Sequence, residues 1–209
     1  LKNFAKIKNE ICFRLVNRET NCKVLKAHPH IEVLDLAVLF YYKDSGSSNE
    51  EMITIICHKF MKQWQVSIDE LYELAKENTE KLLPPVFQTI EQVMGGIADE
   101  ENLLFTSEEE PQERMYVMTN RDKYFGAGCC LYPGLLEEVY HKLKVEFFVL
   151  PSSIHEIIIM PDVGGVSADN LQSLVIEMNQ QFLLDDEVLS NHVYRYNSKS
   201  KALSLALGL

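Results

Sequence analysis

Apolar residues fall in short runs broken by polar turns, and the runs alternate between strand length and helical spacing. Ile11 to Val16 reads as a strand, although Ala5 to Arg14 reads equally as a helix. Arg18 to Ala27 has the form of a short helix, which His28-Pro29-His30 ends. Leu34 to Tyr42 is a nearly continuous apolar run, the pattern of a strand covered on both faces. The polar turn Asp44 to Asn49 leads back into Met52 to Cys57, so these two strands are expected to pair antiparallel. Ser67-Ile68-Asp69-Glu70 is a capping box, in which the serine oxygen receives an unpaired amide and the glutamate reaches back. Leu71, Leu74, Ala75 and Leu82 follow at helical spacing until Pro84-Pro85. Phe87 to Met94 is a short amphipathic segment closed by Gly95-Gly96.

Beyond residue 114 the alternation resumes. Met115 to Thr119, Gly126 to Leu131, Phe147 to Leu150 and Glu156 to Met160 read as strands. Pro133-Gly134 opens a helix with Leu135, Leu136, Val139, Tyr140 and Leu143 on one stripe. Ser167 caps a second helix, and Val193 to Tyr196 with Ala202 to Leu207 form a terminal hairpin. The fold class is therefore α+β, mainly antiparallel sheets with packed helices. Both halves run strand, helix, strand, strand, helix. Ser67-x-Asp69-x-Leu71-x-x-Leu74-Ala75 also parallels Ser167-x-Asp169-x-Leu171-x-x-Leu174-Val175. Two pseudo-repeats are thus a candidate architecture, with residues 11–83 expected to superpose on residues 127–183.

Composition sharpens the picture at three points. Of the 209 residues 46% are hydrophobic, enough for a real core, and no apolar run is long enough to span a bilayer. The net charge is −11, and residues 95–113 hold seven acids and no base. That stretch reads as a solvated acidic loop or linker between a first half, 1–94, and a second, 114–209, with residues 98–112 expected to be mobile and exposed. With no basic stripe, nucleic-acid binding is not expected. The five cysteines, Cys12, Cys22, Cys57, Cys129 and Cys130, are odd in number and form no C-x-x-C pair. Scattered thiols in apolar segments point to a reducing, cytoplasmic compartment.

Several segments recur together in a known pattern. They are Pro29-His30, Leu34-Asp35-Leu36-Ala37-Val38, Glu70-Leu71-Tyr72 and Glu77-Asn78-Thr79 in the first half. In the second they are Met115 to Asn120, Gly126 to Gly134 and Leu150 to Glu156. The ordered set covers most of the chain and resembles a family of uncharacterised bacterial proteins known only as a domain of unknown function. The resemblance implies no activity and no catalytic residue. Members of that family have further sequence before the segment matching Lys6 to Asn17, which fits a start at Leu1 and allows a structural module of a longer protein.

Chemistry has to be sought in the residues themselves. Pro151-Ser152-Ser153-Ile154-His155-Glu156 crowds hydroxyls, an imidazole and a carboxylate into one turn. There is no nucleophile elbow. On a strand His155 and Glu156 would point to opposite faces, so adjacency alone makes no relay. Ser152 and Ser153 are expected to bond the turn, and His155 to fix it as a neutral imidazole. A hydrolase is the alternative, with Cys129 or Cys130 as nucleophile, His155 as base and Asp162 or Asn120 as orienter. Burial of the two thiols in a strand beside Ala127 and Leu131 is the competing expectation. Asn120, Ser152, Ser153 and Glu156 are candidate binding residues. His28 and His30, with His58 or His155, match no standard metal spacing, so no metal and no cofactor are expected. Asn78 and Asn179 are expected to terminate their helices, Asp35 to sit at a strand entrance, and Trp64 to lie in the core. The preferred function is a non-enzymatic cytoplasmic binding or regulatory protein, without nucleic-acid or membrane partners.

Overall fold

The computed structural model describes residues 3–45, 51–95 and 111–208. Most of the acidic segment and the tip of the turn after residue 45 lie outside the described residues. The chain divides into two compact units, Leu1–Pro84 and Pro85–Leu209. In both, strands pair antiparallel and helices pack on the sheet, so the fold is α+β.

The first unit contains α1 (Phe4–Ile7), β1 (Ile11–Asn17), α2 (Cys22–Ala27), β2 (His30–Val33), β3 (Leu36–Ser45), β4 (Glu51–Ile55), α3 (His58–Trp64) and α4 (Ile68–Leu82). β3 is the central strand, with β1 on one side and β2 followed by β4 on the other. Its apolar run Leu36–Tyr42 is buried throughout, as its unbroken hydrophobicity requires. Val16, Leu25, Ala37 and Leu39 pack on one face. α4 covers the outer edge of β1. Thr79 Oγ1 accepts the Phe13 N–H at 3.0 Å, while Asn78 Nδ2 donates to Lys8 O at 2.7 Å and Ile11 O at 3.0 Å. A sheet edge that would otherwise be buried unpaired is thereby satisfied. Asn78 is not the helix terminator its composition suggests, because the helix continues to Leu82 and the amide points into the sheet edge. Trp64 ends α3 half-buried, against the rings of Phe4 and Phe60, and is not a core residue. Asp35 stands in the β2–β3 turn after left-handed Leu34, and its carbonyl accepts the Arg18 N–H.

The second unit contains β5 (Pro85–Thr89), α5 (Ile90–Met94), β6 (Tyr116–Asn120), a 3-10 helix (Gly126–Leu131), α6 (Leu135–Leu143), β7 (Phe147–Pro151), β8 (Ile157–Pro161), α7 (Ala168–Phe182), β9 (Tyr194–Asn197) and β10 (Ala202–Leu205). Its sheet runs β10-β9-β7-β8-β6-β5. Phe148 and Leu150 face Leu171 and Val175 of α7, with Val193 beneath them. On the opposite face Phe147 stacks on Tyr196 at 5.0 Å, and Tyr196 meets Tyr140 of α6. Asn179 is again internal to its helix rather than a terminator: its Nδ2 donates to Ser190 O and to Asn191 Oδ1, both at 2.9 Å.

Three expectations need correction. Residues 87–94 are not one amphipathic segment. Residues 85–89 are β5, which pairs with β6 in the second unit's sheet, and 90–94 are α5; along the chain the division between the compact units falls at Pro84-Pro85. Gly126 to Leu131 is a tight helix and not a strand, because its small residues let the backbone press against β6. The pseudo-repeat fails on strand order. β1 pairs with β3, whereas its counterpart at residues 127–131 is a 3-10 helix, and β7 is flanked instead by β9, which comes from beyond the repeat. The serine caps common to both halves are real, with Ser67 Oγ receiving Glu70 N–H and Ser167 Oγ receiving Asn170 N–H. They reflect how amphipathic helices start and not a shared topology.

Candidate functional site

The sequence candidates converge, in part, at one end of the second sheet. β6 ends in Thr119 and Asn120, a five-residue loop follows, and the 3-10 helix then runs back beneath the turn that joins β7 to β8. Asn120, buried at 1% exposure, holds the loop at both polar atoms of one residue. Its Nδ2 donates to Tyr124 O at 2.8 Å, and its Oδ1 accepts Tyr124 N–H at 3.2 Å. This bracket forces a conformation that ordinary residues resist. Lys123 (φ 52°) and Phe125 (φ 57°) are both left-handed without being glycine. Each such residue costs on the order of 1–3 kcal/mol and persists only where its surroundings impose it.

The joint with the β7–β8 turn is equally tight. Ser153 N–H donates to Glu156 O at 3.1 Å, His155 N–H to Ser153 Oγ at 3.0 Å, and Ser152 Oγ to Glu156 Oε1 at 3.2 Å. Thr119 Oγ1 donates to His155 O at 2.8 Å. Gly126 lies in the seam. A Cβ there would overlap Thr119 Oγ1 and stand 2.5 Å from His155 O and 2.7 Å from Asn120 N, so only glycine fits. The His155 ring lies parallel to Phe125, 5.9 Å between centroids and 6° between planes, and 5.2 Å from the ring of Tyr124. Its Nδ1 accepts the Phe125 N–H at 3.2 Å. That contact requires a lone pair on Nδ1, so the proton of the neutral ring resides on Nε2. Tyr124 remains 44% exposed, above a base of buried groups.

The thiols sit below this surface. Cys129 Sγ donates to Thr119 O at 3.2 Å, and its residue is fully buried. Burial pushes the Cys130 thiol up to about 12, with Cys129 beside it acting in the same direction. Both lie in the 3-10 helix and not in the strand their apolar neighbours suggest. Asp162 is not brought to His155. It follows the far end of β8, where its Oδ2 pairs with Arg195 at 2.7 Å and Arg195 also meets Glu146 at 3.2 Å. Asn120 does adjoin the cluster, but both its amide atoms engage Tyr124. Ser152, Ser153 and Glu156 belong to the turn and bond one another. The imidazoles of His28 and His30 are turned to backbone carbonyls, Val24 O at 2.8 Å and His28 O at 3.0 Å. Among the described residues no three His, Cys, Asp or Glu side chains gather as a metal site.

Sequence reasoning did not single out Thr119, Tyr124, Phe125 or Gly126. Two adjacent aromatics ahead of a glycine, directly after the polar run Arg121-Asp122-Lys123, carry the available signal. The arrangement is rigid, aromatic at its surface and hydrogen-bonded beneath, which suits recognition by stacking and by the Nε2–H donor. No curated protein and no solved structure matches the chain. No described helix is long and apolar enough to cross a membrane. One family profile matches residues 1–198, nearly the whole chain and the site with it, and the protein belongs to that family, the family of unknown function DUF5688.

Proposed function

We propose that this is a non-enzymatic binding or regulatory protein of the cytoplasm, and that it contacts its ligand through the 121–125 loop and the 152–156 turn. The observation that carries the reading is the loop itself. Two left-handed non-glycine residues flank a half-exposed tyrosine, and a buried asparagine and a histidine hold them there. Elsewhere in the chain left-handed non-glycine residues stand singly at helix ends and hairpin turns, whereas here two of them bracket an exposed aromatic, and fixed, strained loops with exposed aromatics are where ligands are met. The absence of a basic stripe in the sequence argues against nucleic acid as the ligand. Five free thiols, three of them buried, support a reducing compartment.

The cysteine hydrolase draws less support. A nucleophilic cysteine needs thiolate character, and burial works against it at Cys130, while Cys129 spends its proton on Thr119 O. His155 uses Nδ1 for a backbone amide. The test is an amide-shift titration of the intact protein against small-molecule and peptide libraries. A binder is expected to perturb residues 119–126 and 152–156, and Tyr124→Ala should weaken it several-fold, up to about tenfold, the loss of one aromatic stacking contact. Ester or peptide turnover that disappears in Cys129→Ala or Cys130→Ala would sink the reading.

A further inference from the structure

We propose that His155 is a proton-operated latch on the 121–125 loop. This rests on the reading of that loop as the ligand surface. The Phe125 N–H reaches His155 Nδ1 at 3.2 Å and can do so only while that nitrogen keeps its lone pair. A proton on Nδ1 sets two N–H donors against each other, and the bond becomes a repulsion. The rest of His155 is indifferent to protonation. Its N–H stays on Ser153 Oγ and its carbonyl stays under Thr119 Oγ1, so the turn remains while the ring disengages.

The loop is poised to respond. Phe125 is left-handed, and its ring lies parallel to the imidazole, so losing the bond removes an anchor from a residue held in an unfavourable conformation. Asn120 keeps its grip on Tyr124 in either state, which confines the release to the Phe125 end of the loop and changes the pose of the half-exposed tyrosine. The titratable and charged groups on the elements around the ring are Arg121, Asp122, Lys123 and Tyr124 on the loop, and Cys129 and Cys130 on the 3-10 helix. Glu156 lies on the turn, and Asp185, Asp186 and Glu187 on the segment whose Glu187 carbonyl accepts Ile154 N–H. The Glu156 carboxylate is engaged by Ser152, and the group that meets Nδ1 is an uncharged amide. The switch is therefore local: one hydrogen bond that exists in one protonation state of one ring.

The test follows the ring and the amide together in the intact protein. Protonation of His155 is read directly from its ring nitrogen shifts, and the Phe125 amide from its hydrogen-exchange protection factor, corrected for intrinsic rates at each pH. Protection is expected to fall about tenfold as the ring gains its proton, in line with the loss of one net hydrogen bond. His155→Gln, which keeps an acceptor but cannot gain a proton, should hold protection flat over the same range. Protonation of the ring with unchanged Phe125 protection overturns the latch, as does a ring that stays neutral until the whole chain unfolds. The wild-type measurement stands even if the variant does not fold. Neither measurement involves a ligand, so a binding surface found elsewhere defeats the functional reading without touching the latch.

Discussion

Gly126 and the buried thiols show how much individual residues in this fold are constrained by what lies across from them. Gly126→Ala cannot be absorbed by moving one side chain, since two of the three atoms it meets are backbone. The substitution should cost about 1–3 kcal/mol, the range for overpacking a filled site, read as a lower urea midpoint. Thr119→Ala in the same chain should fail to restore it, and a full rescue would mean the backbone seam is looser than its distances. The thiols make a second test at this scale. Burial raises Cys12 to about 11 and Cys130 to about 12, and Tyr116 is raised to about 12 for the same reason. A group raised on folding supports the folded state below its unfolded value, and that support is lost as pH climbs through the folded one. Stability should therefore be level up to roughly pH 9 and decline from there towards pH 12. In Cys130→Ala the decline should be shallower. At neutral pH a thiol reagent should modify exposed Cys22 first, while Cys12, Cys129 and Cys130 react only on unfolding. Fast labelling of Cys130 in the native protein would contradict its burial.

Helices in both units are started by serines, and α4 does more than pack. Ser67 and Glu70 exchange both bonds of the capping box, at 3.1 and 2.8 Å, whereas Ser167 receives a single amide because Asn170 stands where a glutamate would reach back. The Ser67 backbone N–H first, and the Ser67 side chain second, lower the Glu70 carboxyl below its usual range, so the box contributes above the unfolded value and weakens as pH falls through the folded one. Further along, Asn78 joins α4 to the outer edge of β1. Asn78→Ala leaves the buried Ile11 carbonyl and the part-buried Lys8 carbonyl short of a donor and should cost about 1–3 kcal/mol, at least as much as the roughly 0.5–2 kcal/mol of Ser67→Ala. A smaller effect than that of Ser67→Ala in thermal melts would show that the edge is satisfied in another way. Helical spacing and capping were legible in the sequence here. The partners of Asn78 were not, because they lie 67 and 70 positions away along the chain.

At the scale of the molecule, each unit carries its own sheet and its own core. The position of β5 decides where a cut is tolerated. A fragment of residues 85–209 keeps β5 paired with β6 from Pro85 to Thr89 and should unfold cooperatively. A fragment starting at residue 95 exposes the edge of β6, whose residues are all buried, and should be markedly less stable or aggregate. Calorimetry of the two fragments reads the difference, and equal transitions would mean that β5 is dispensable. Charge pattern pointed to the acidic run as the boundary because composition changes there, but strand pairing is set by register and not by composition.

What the sequence determined by itself are the features that depend on near neighbours: the buried run of β3, the serine-started helices, the antiparallel hairpins and the bonded Pro-Ser-Ser turn. Periodicity, capping and turn chemistry act within a few residues, so they can be read without knowing the fold. Only the tertiary structure decided the strand order that separates the halves, the 3-10 helix of residues 126–131, and the assembly of Asn120, Tyr124, Phe125 and His155. Each depends on contacts between distant segments. Gly126 shows the reason most plainly: in sequence it looks like one more flexible position, and it becomes indispensable only because Thr119, Asn120 and His155 close around it.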